Sequence, residues 1–258
     1  MKAKRIVVKV GTSTLTYDNG QINIRRMSKL VRVLSDLKNS GIEVVLVTSA
    51  AVAVGVSKLR LPSRPSDIMG RQAAASVGQS ELMFMYDKLF DEYHHTIAQL
   101  LITRGDVEVD DRRNNLINTF NKLFEFNAIP IINENDSVCT EELVIGDNDT
   151  LSAIVARLVK ADTLIMLTDI DGLYSSDPRH DSSATLIPVV EEISDYITSI
   201  AGSNGTTRGT GGMMTKISAA KISTSAGIDT YICNGEDPEN VYKILDGESI
   251  GTCFKAAR

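Results

Sequence analysis

Two lysines and two knots of short polar residues carry the chemistry that can be read from this chain. Lys9 stands just before Gly11-Thr12-Ser13-Thr14, and Lys216 follows Gly209-Thr210-Gly211-Gly212-Met213-Met214-Thr215. Bare backbone N–H groups, a helix start and a lysine one turn in suit a phosphate. The spacing is not that of a Walker A loop. Between the lysines lie Asn133-Glu134-Asn135-Asp136 and Gly146-Asp147-Asn148-Asp149. Their donors and acceptors suit a small zwitterion or the organisation of lysines, while Asp147 or Asp149 alone would serve equally as a helix cap. Thr168-Asp169-Ile170-Asp171 adds a third polar stretch, in which Asp169 and Asp171 suit either a turn or contact with a nucleotide or its metal.

The elements that must position these residues follow from apolar periodicity. Short apolar runs at 6–10, 43–47, 97–102, 129–132, 163–167 and 230–233 predict strands, with a last one at 251–254. Ile24, Met27, Leu30, Val31, Leu34 and Leu37 form a helical stripe closed by Gly41, and Leu151, Ile154, Val155, Leu158 and Val159 form another, capped by Asp or Asn. Residues 67–93 read as a helix with Gly70 and Gly78 as close-packing points. Its Met and aromatic stripe suits core or a subunit contact and shows no chemistry. Further helices are expected at 116–126, 218–227 (completing the one with Lys216) and 238–245, a turn at 103–106, and a small hairpin over the site at 138–145. The charged stretch 106–113 reads as a solvated loop or helix start. Alternating strands and helices predict an α/β fold around a mainly parallel sheet, as one domain over 1–258.

In such a sheet the strand ends share one edge. Lys9 with Gly11, Ser49, Asn133 to Asp136, and Thr168 with Asp169 would meet there, joined by Asp149 and Lys216 from helix starts. A lysine in a strand buried on both faces is costly unless it reaches the crevice at this edge. The small residues of Thr48-Ser49-Ala50-Ala51-Val52-Ala53-Val54-Gly55 would let a ligand approach a helix N-terminus, or simply pack closely.

Composition excludes several classes. A net charge of −6 and a pI near 5.2 argue against nucleic acid as a partner. Cys139, Cys233 and Cys253 have neither disulfide nor zinc spacing. No membrane span is expected, and the first apolar run, interrupted by Lys9, is too short for a signal peptide, so a cytoplasmic protein is expected. Protein-kinase signatures and a dinucleotide fingerprint are absent.

Val8-Lys9-Val10-Gly11-Thr12-Ser13, Val47-Thr48-Ser49, Ile132-Asn133-Glu134-Asn135-Asp136, Gly146-Asp147-Asn148-Asp149, Leu167-Thr168-Asp169 with Gly172-Leu173-Tyr174, and Gly209-Thr210-Gly211-Gly212-Met213 with Thr215-Lys216 together resemble the amino acid kinase family. The resemblance implies a three-layer αβα sandwich, with glutamate over the N-terminal part and ATP over the C-terminal part. It implies phosphorylation of the glutamate side-chain carboxylate by ATP with Mg²⁺, the first step of proline biosynthesis. Ser49, Asp136, Asn148 and Asn133 would hold glutamate. Lys9, Gly11, Thr168, Asp169, Thr210, Gly211, Gly212, Met213, Met214, Thr215 and Lys216 would hold ATP, and no protein ligand for the metal is assigned. Lys9 and Lys216 would serve phosphoryl transfer, with Asp149 orienting them. A homo-oligomer, dimer or tetramer, is expected, with proline as a possible feedback inhibitor acting through the glutamate site and the 138–145 hairpin. Ala50 stands where the family commonly has Gly, so backbone approach there would be tighter or differently arranged. The expectation is also of a form without the C-terminal PUA domain that many relatives carry.

Overall fold

A computed structural model of the chain describes residues 3–138, 147–202 and 212–257. Its strands are β1 Arg5–Val10, β2 Glu43–Val47, β3 Ile97–Ile102, β4 Ile129–Glu134, β5 Thr163–Thr168, β6 Val189–Val190, β7 Asp229–Asn234 and β8 Thr252–Phe254. They form one sheet in the order β3-β4-β2-β1-β5-β7-β8-β6, parallel throughout except where β7 meets β8. The chain fills the β2 side of β1 first and the β5 side later. The carboxyl ends of β1 and β5 therefore flank the crevice where ligands of open α/β sheets bind.

Period-2 alternation sends β1 into two cores. Ile6, Val8 and Val10 pack with Met27, Leu30 and Leu34 of the Ile24–Asn39 helix and with Leu82, Tyr86 and Phe90 of the Ile68–Asp91 helix. Val7 faces the other side, among Leu151, Val155, Met213 and Ile217 from the Asn148–Leu158 and Met213–Thr224 helices. These layers make the αβα sandwich. Lys9 shares the face of Val7, so the central strand delivers its ammonium group to the two helices that begin with Asn148 and Met213.

Local signals explain the helix starts. Asn23, Asp67 and Asp147 each cap by accepting the backbone N–H three residues on. The stretch 103–106, expected as a turn, instead starts the Arg104–Glu108 helix: Thr103 and Asp106 form a reciprocal capping box, which satisfies the free N–H groups of even a short helix. The following helix, Asp110–Glu125, takes in charged residues expected as loop or helix start, because two acids in its first turn suit the helix dipole. Periodicity missed β6 and the Asp195–Gly202 helix.

Glycines set one crossing. A Cβ on Gly55 would lie 1.8 Å from the Ala74 carbonyl oxygen, and one on Gly78 equally close to that of Ala51. The Ala51–Lys58 and Ile68–Asp91 helices therefore meet backbone to backbone. That contact brings the second helix against the ends of β2 and β4.

Candidate active site

Asp149 is the centre of the crevice. It is 1% exposed, in the first turn of the Asn148–Leu158 helix, and binds one lysine through each oxygen. Lys9 Nζ lies 2.6 Å from Oδ1 and Lys216 Nζ 3.1 Å from Oδ2. Thr215 Oγ1 lies 2.9 Å from Oδ2 and 2.8 Å from the Gly212 carbonyl. Burial alone would push the Asp149 carboxyl up, but Lys9 and then Lys216 outweigh it and hold it at about 2. Both lysines are over nine-tenths buried. The three ionised side chains sum to one positive charge in a poorly hydrated place, which suits an anionic group entering between the ammoniums.

The glycine elements border this cluster. Gly11 N–H donates to Leu167 O at 3.3 Å, tying the end of β1 to β5, and a Cβ on Gly11 would approach Lys9 Nζ to 3.8 Å. Gly212 is the N-cap of the Met213–Thr224 helix, whose free N–H groups open beside Lys216. Thr168 is buried at the end of β5, its hydroxyl 3.1 Å from Asp169 Oδ1, and its carbonyl accepts from Gly235 N–H at 2.7 Å. Asp171 accepts from Asn234 and Tyr174, so it is turn-forming. The Met213 side chain packs in the core, leaving only its backbone for a ligand, whereas Met214 is 39% exposed. Thr210, Gly211 and most of the 138–145 hairpin lie outside the described residues.

On the other side of Asp149 the site is built from neutral amides. Asn148 Nδ2 donates to Thr48 O at 2.8 Å, to Asn133 Oδ1 at 2.8 Å and to Ser49 Oγ at 3.1 Å. Asn133 Oδ1 also accepts Glu134 N–H, and its Nδ2 donates to Gln79 Oε1 at 2.8 Å. Asn148 Oδ1 is buried without a partner. Burial pushes the Asp136 carboxyl up, partly offset by the Arg64 charge. Ala50 adopts φ 82°, ψ 5°, the left-handed conformation that favours glycine, so the loop keeps a glycine path with an alanine in it.

The structure thus brings together Lys9, Gly11, Ser49, Asn133, Asn148, Asp149, Gly212, Thr215 and Lys216. Gln79 and Tyr86 were missed. Tyr86 OH lies 2.9 Å from Thr48 Oγ1, and Gln79 and Tyr86 both come from the helix read as lacking chemistry. A buried glutamine seven residues before a tyrosine on one helical face was the available signal.

Among the described residues no group of three His, Cys, Asp or Glu could hold a metal, and no helix is long and apolar enough to cross a membrane.

The profile described as "Amino acid kinase family" matches residues 4–234. A protein named glutamate 5-kinase from Clostridium perfringens (strain 13 / Type A) is 55% identical over 260 residues, covering 99% of this chain and 97% of that one. Another, from Clostridium tetani (strain Massachusetts / E88), is 53% identical, covering 99% and 96%. The crystal structure of a T. acidophilum isopentenyl phosphate kinase superposes with a TM-score of 0.67 at 20% identity, covering 97% of this chain and 99% of the other, a likeness of fold.

Proposed function

The chain belongs to the amino acid kinase family, and we propose that it transfers the γ-phosphoryl group of ATP to the side-chain carboxylate of L-glutamate, giving L-glutamyl 5-phosphate and ADP, the first step of proline biosynthesis. The observation that carries the mechanism is Asp149 holding Lys9 and Lys216 between a neutral amide network and the Gly212-capped start of the Met213–Thr224 helix.

No general base is needed, because the glutamate carboxylate, with an ordinary pKa of about 4.3, is ionised at neutral pH. The difficulty is bringing two anions together. Lys9 and Lys216 neutralise charge on the group in transit, and Asp149 keeps both ammoniums aimed at one place before substrate arrives. Gly11, Gly212 and the first N–H groups of the Met213–Thr224 helix receive the phosphates, with Thr210 and Gly211 assigned to the same task. Thr168 and Asp169 contact the nucleotide. Ser49, Asn133, Asn148 and Asp136 hold glutamate.

The donor set fits Mg²⁺ carried on the phosphates rather than caged by protein, since Asp149 is occupied by two ammoniums. When bound, the ion neutralises phosphate charge and orients the transferred group. One domain over 1–258, with glutamate on its N-terminal part and ATP on its C-terminal part, works in the cytoplasm as a dimer or tetramer. Proline acts as feedback inhibitor at the glutamate side.

The test is ATP consumption with Mg²⁺ and, separately, glutamate, N-acetylglutamate, aspartate and uridine monophosphate, with hydroxylamine trapping any acyl phosphate. A hydroxamate from glutamate alone is expected. Turnover with another acceptor and none with glutamate would overturn the assignment.

A further inference from the structure

The buried face of the Ile68–Asp91 helix places Gln79 against the end of β4 and Tyr86 against the end of β2. The hydrogen bonds there have one consistent direction. Thr48 O can only accept, so the Asn148 atom 2.8 Å away is its amide nitrogen; Glu134 N–H can only donate, so the Asn133 atom 2.9 Å away is its carbonyl oxygen. Asn133 Nδ2, on a side chain 1% exposed, then turns to Gln79 Oε1, and Asn133 Oδ1 takes a second bond from Asn148. The amide nitrogens of Asn133 and Asn148 thus both donate inward. What is left over is Asn148 Oδ1, buried and unpartnered, an acceptor waiting for a donor.

We propose that Gln79 is a positioning residue for the acceptor substrate: it holds Asn133, which holds Asn148, so that Asn148 Oδ1 receives the α-ammonium group of an amino acid. The inference rests on the amino-acid acceptor proposed above. Without the Gln79 oxygen, the Asn133 amide loses the partner of its buried nitrogen and turns to find another, and Asn148 loses its brace. Gln79 reaches the acceptor side through Asn133 and Asn148, whereas Lys9 and Lys216 are held by Asp149, so binding of the acceptor, not of ATP, carries the effect.

Steady-state kinetics of the whole chain, read as hydroxamate, test this with Gln79→Met, which keeps length but replaces the amide oxygen by a weakly accepting thioether, and Gln79→Glu, which keeps an acceptor oxygen. Gln79→Met should raise KM for glutamate about tenfold, the cost of one unsatisfied buried donor. Its KM for ATP should stay unchanged, and Gln79→Glu should return KM for glutamate to within about threefold of wild type. Equal rises in both KM values, a fall confined to kcat, or a Glu variant as impaired as the Met variant would overturn the proposal. Should the Met variant fail to fold, Gln79→Glu decides alone, and a tenfold rise in its KM for glutamate rejects the relay. A wild type making no hydroxamate from glutamate would bring down the acceptor reading and the relay together. A wild type active on glutamate, with KM unmoved in Gln79→Met, would bring down the relay only.

Discussion

The two sides of Asp149 solve different problems with different chemistry. Toward β5 and the Met213–Thr224 helix, the site is charged: two lysines share one carboxylate, beside open backbone N–H groups. Toward β2 and β4 the hydrogen-bonded row is made of neutral side chains: Asn133, Asn148, Ser49 and Gln79 bond to one another, and Asn148 Oδ1 is left without a partner. Charge acts over distance and tolerates small displacements, which suits stabilising a phosphoryl group in transit. Hydrogen bonds between amides are directional, which suits choosing an acceptor. Damage to the first side should therefore appear in turnover and in stability against acid, and damage to the second in the affinity for one substrate.

Asp149→Asn tests the charged side most severely. Breaking a buried ion pair by removing one partner costs about 3–5 kcal/mol, and here two ammoniums lose their counter-charge, so a large drop in the thermal or urea midpoint is expected together with loss of turnover. An unchanged midpoint would sink the account of the cluster. The same carboxylate gives a pH signature. Its folded pKa, about 2, lies below the ordinary carboxylate value of 3.8. Its contribution, about 2 kcal/mol, is therefore complete above pH 4 and lost as pH falls toward 2. Urea titrations over that window should show a steeper loss of stability in wild type than in Asp149→Asn.

Lys216→Ala comes next. It removes one preorganised positive group, and turnover should fall by roughly two to three orders of magnitude with a much smaller change in KM for glutamate. Unchanged turnover would take Lys216 out of the mechanism; a rise confined to KM for glutamate would erase the division between the two sides.

Ala50→Gly is the mildest probe and belongs to the neutral side. An L residue in the left-handed region pays about 1–2 kcal/mol that glycine avoids, against a smaller loss through the freer unfolded chain. The variant should be more stable by up to about 1 kcal/mol, visible as a higher midpoint in urea. A lower midpoint would mean that the buried Ala50 methyl outweighs the backbone term.

Much of this architecture was legible locally. Strand cores such as β2 and β3, the Asn148–Leu158 helix and its Asp147 cap follow from short apolar runs, period-3.6 stripes and short side chains that accept from free N–H groups. A lysine inside an apolar strand run pointed to a polar crevice at the sheet edge unless the strand were an outer one with a solvated lysine, and the place of β1 between β2 and β5 removed that alternative. The acid it would meet was narrower than a guess, since few carboxylates open a helix after a strand end, yet Asp147 and Asp149 were equivalent as caps. Only the tertiary structure separated them: Asp147 keeps its carboxylate on Thr150 of its own helix, while Asp149 projects between Lys9 and Lys216, which are distant in sequence. The partners of Gln79 and Tyr86 were not legible for the same reason. Periodicity reports which face of a helix is buried, but not which polar groups that face will meet. Those partners were set by the Gly55 and Gly78 backbone contact, which brings the helix onto the ends of β2 and β4.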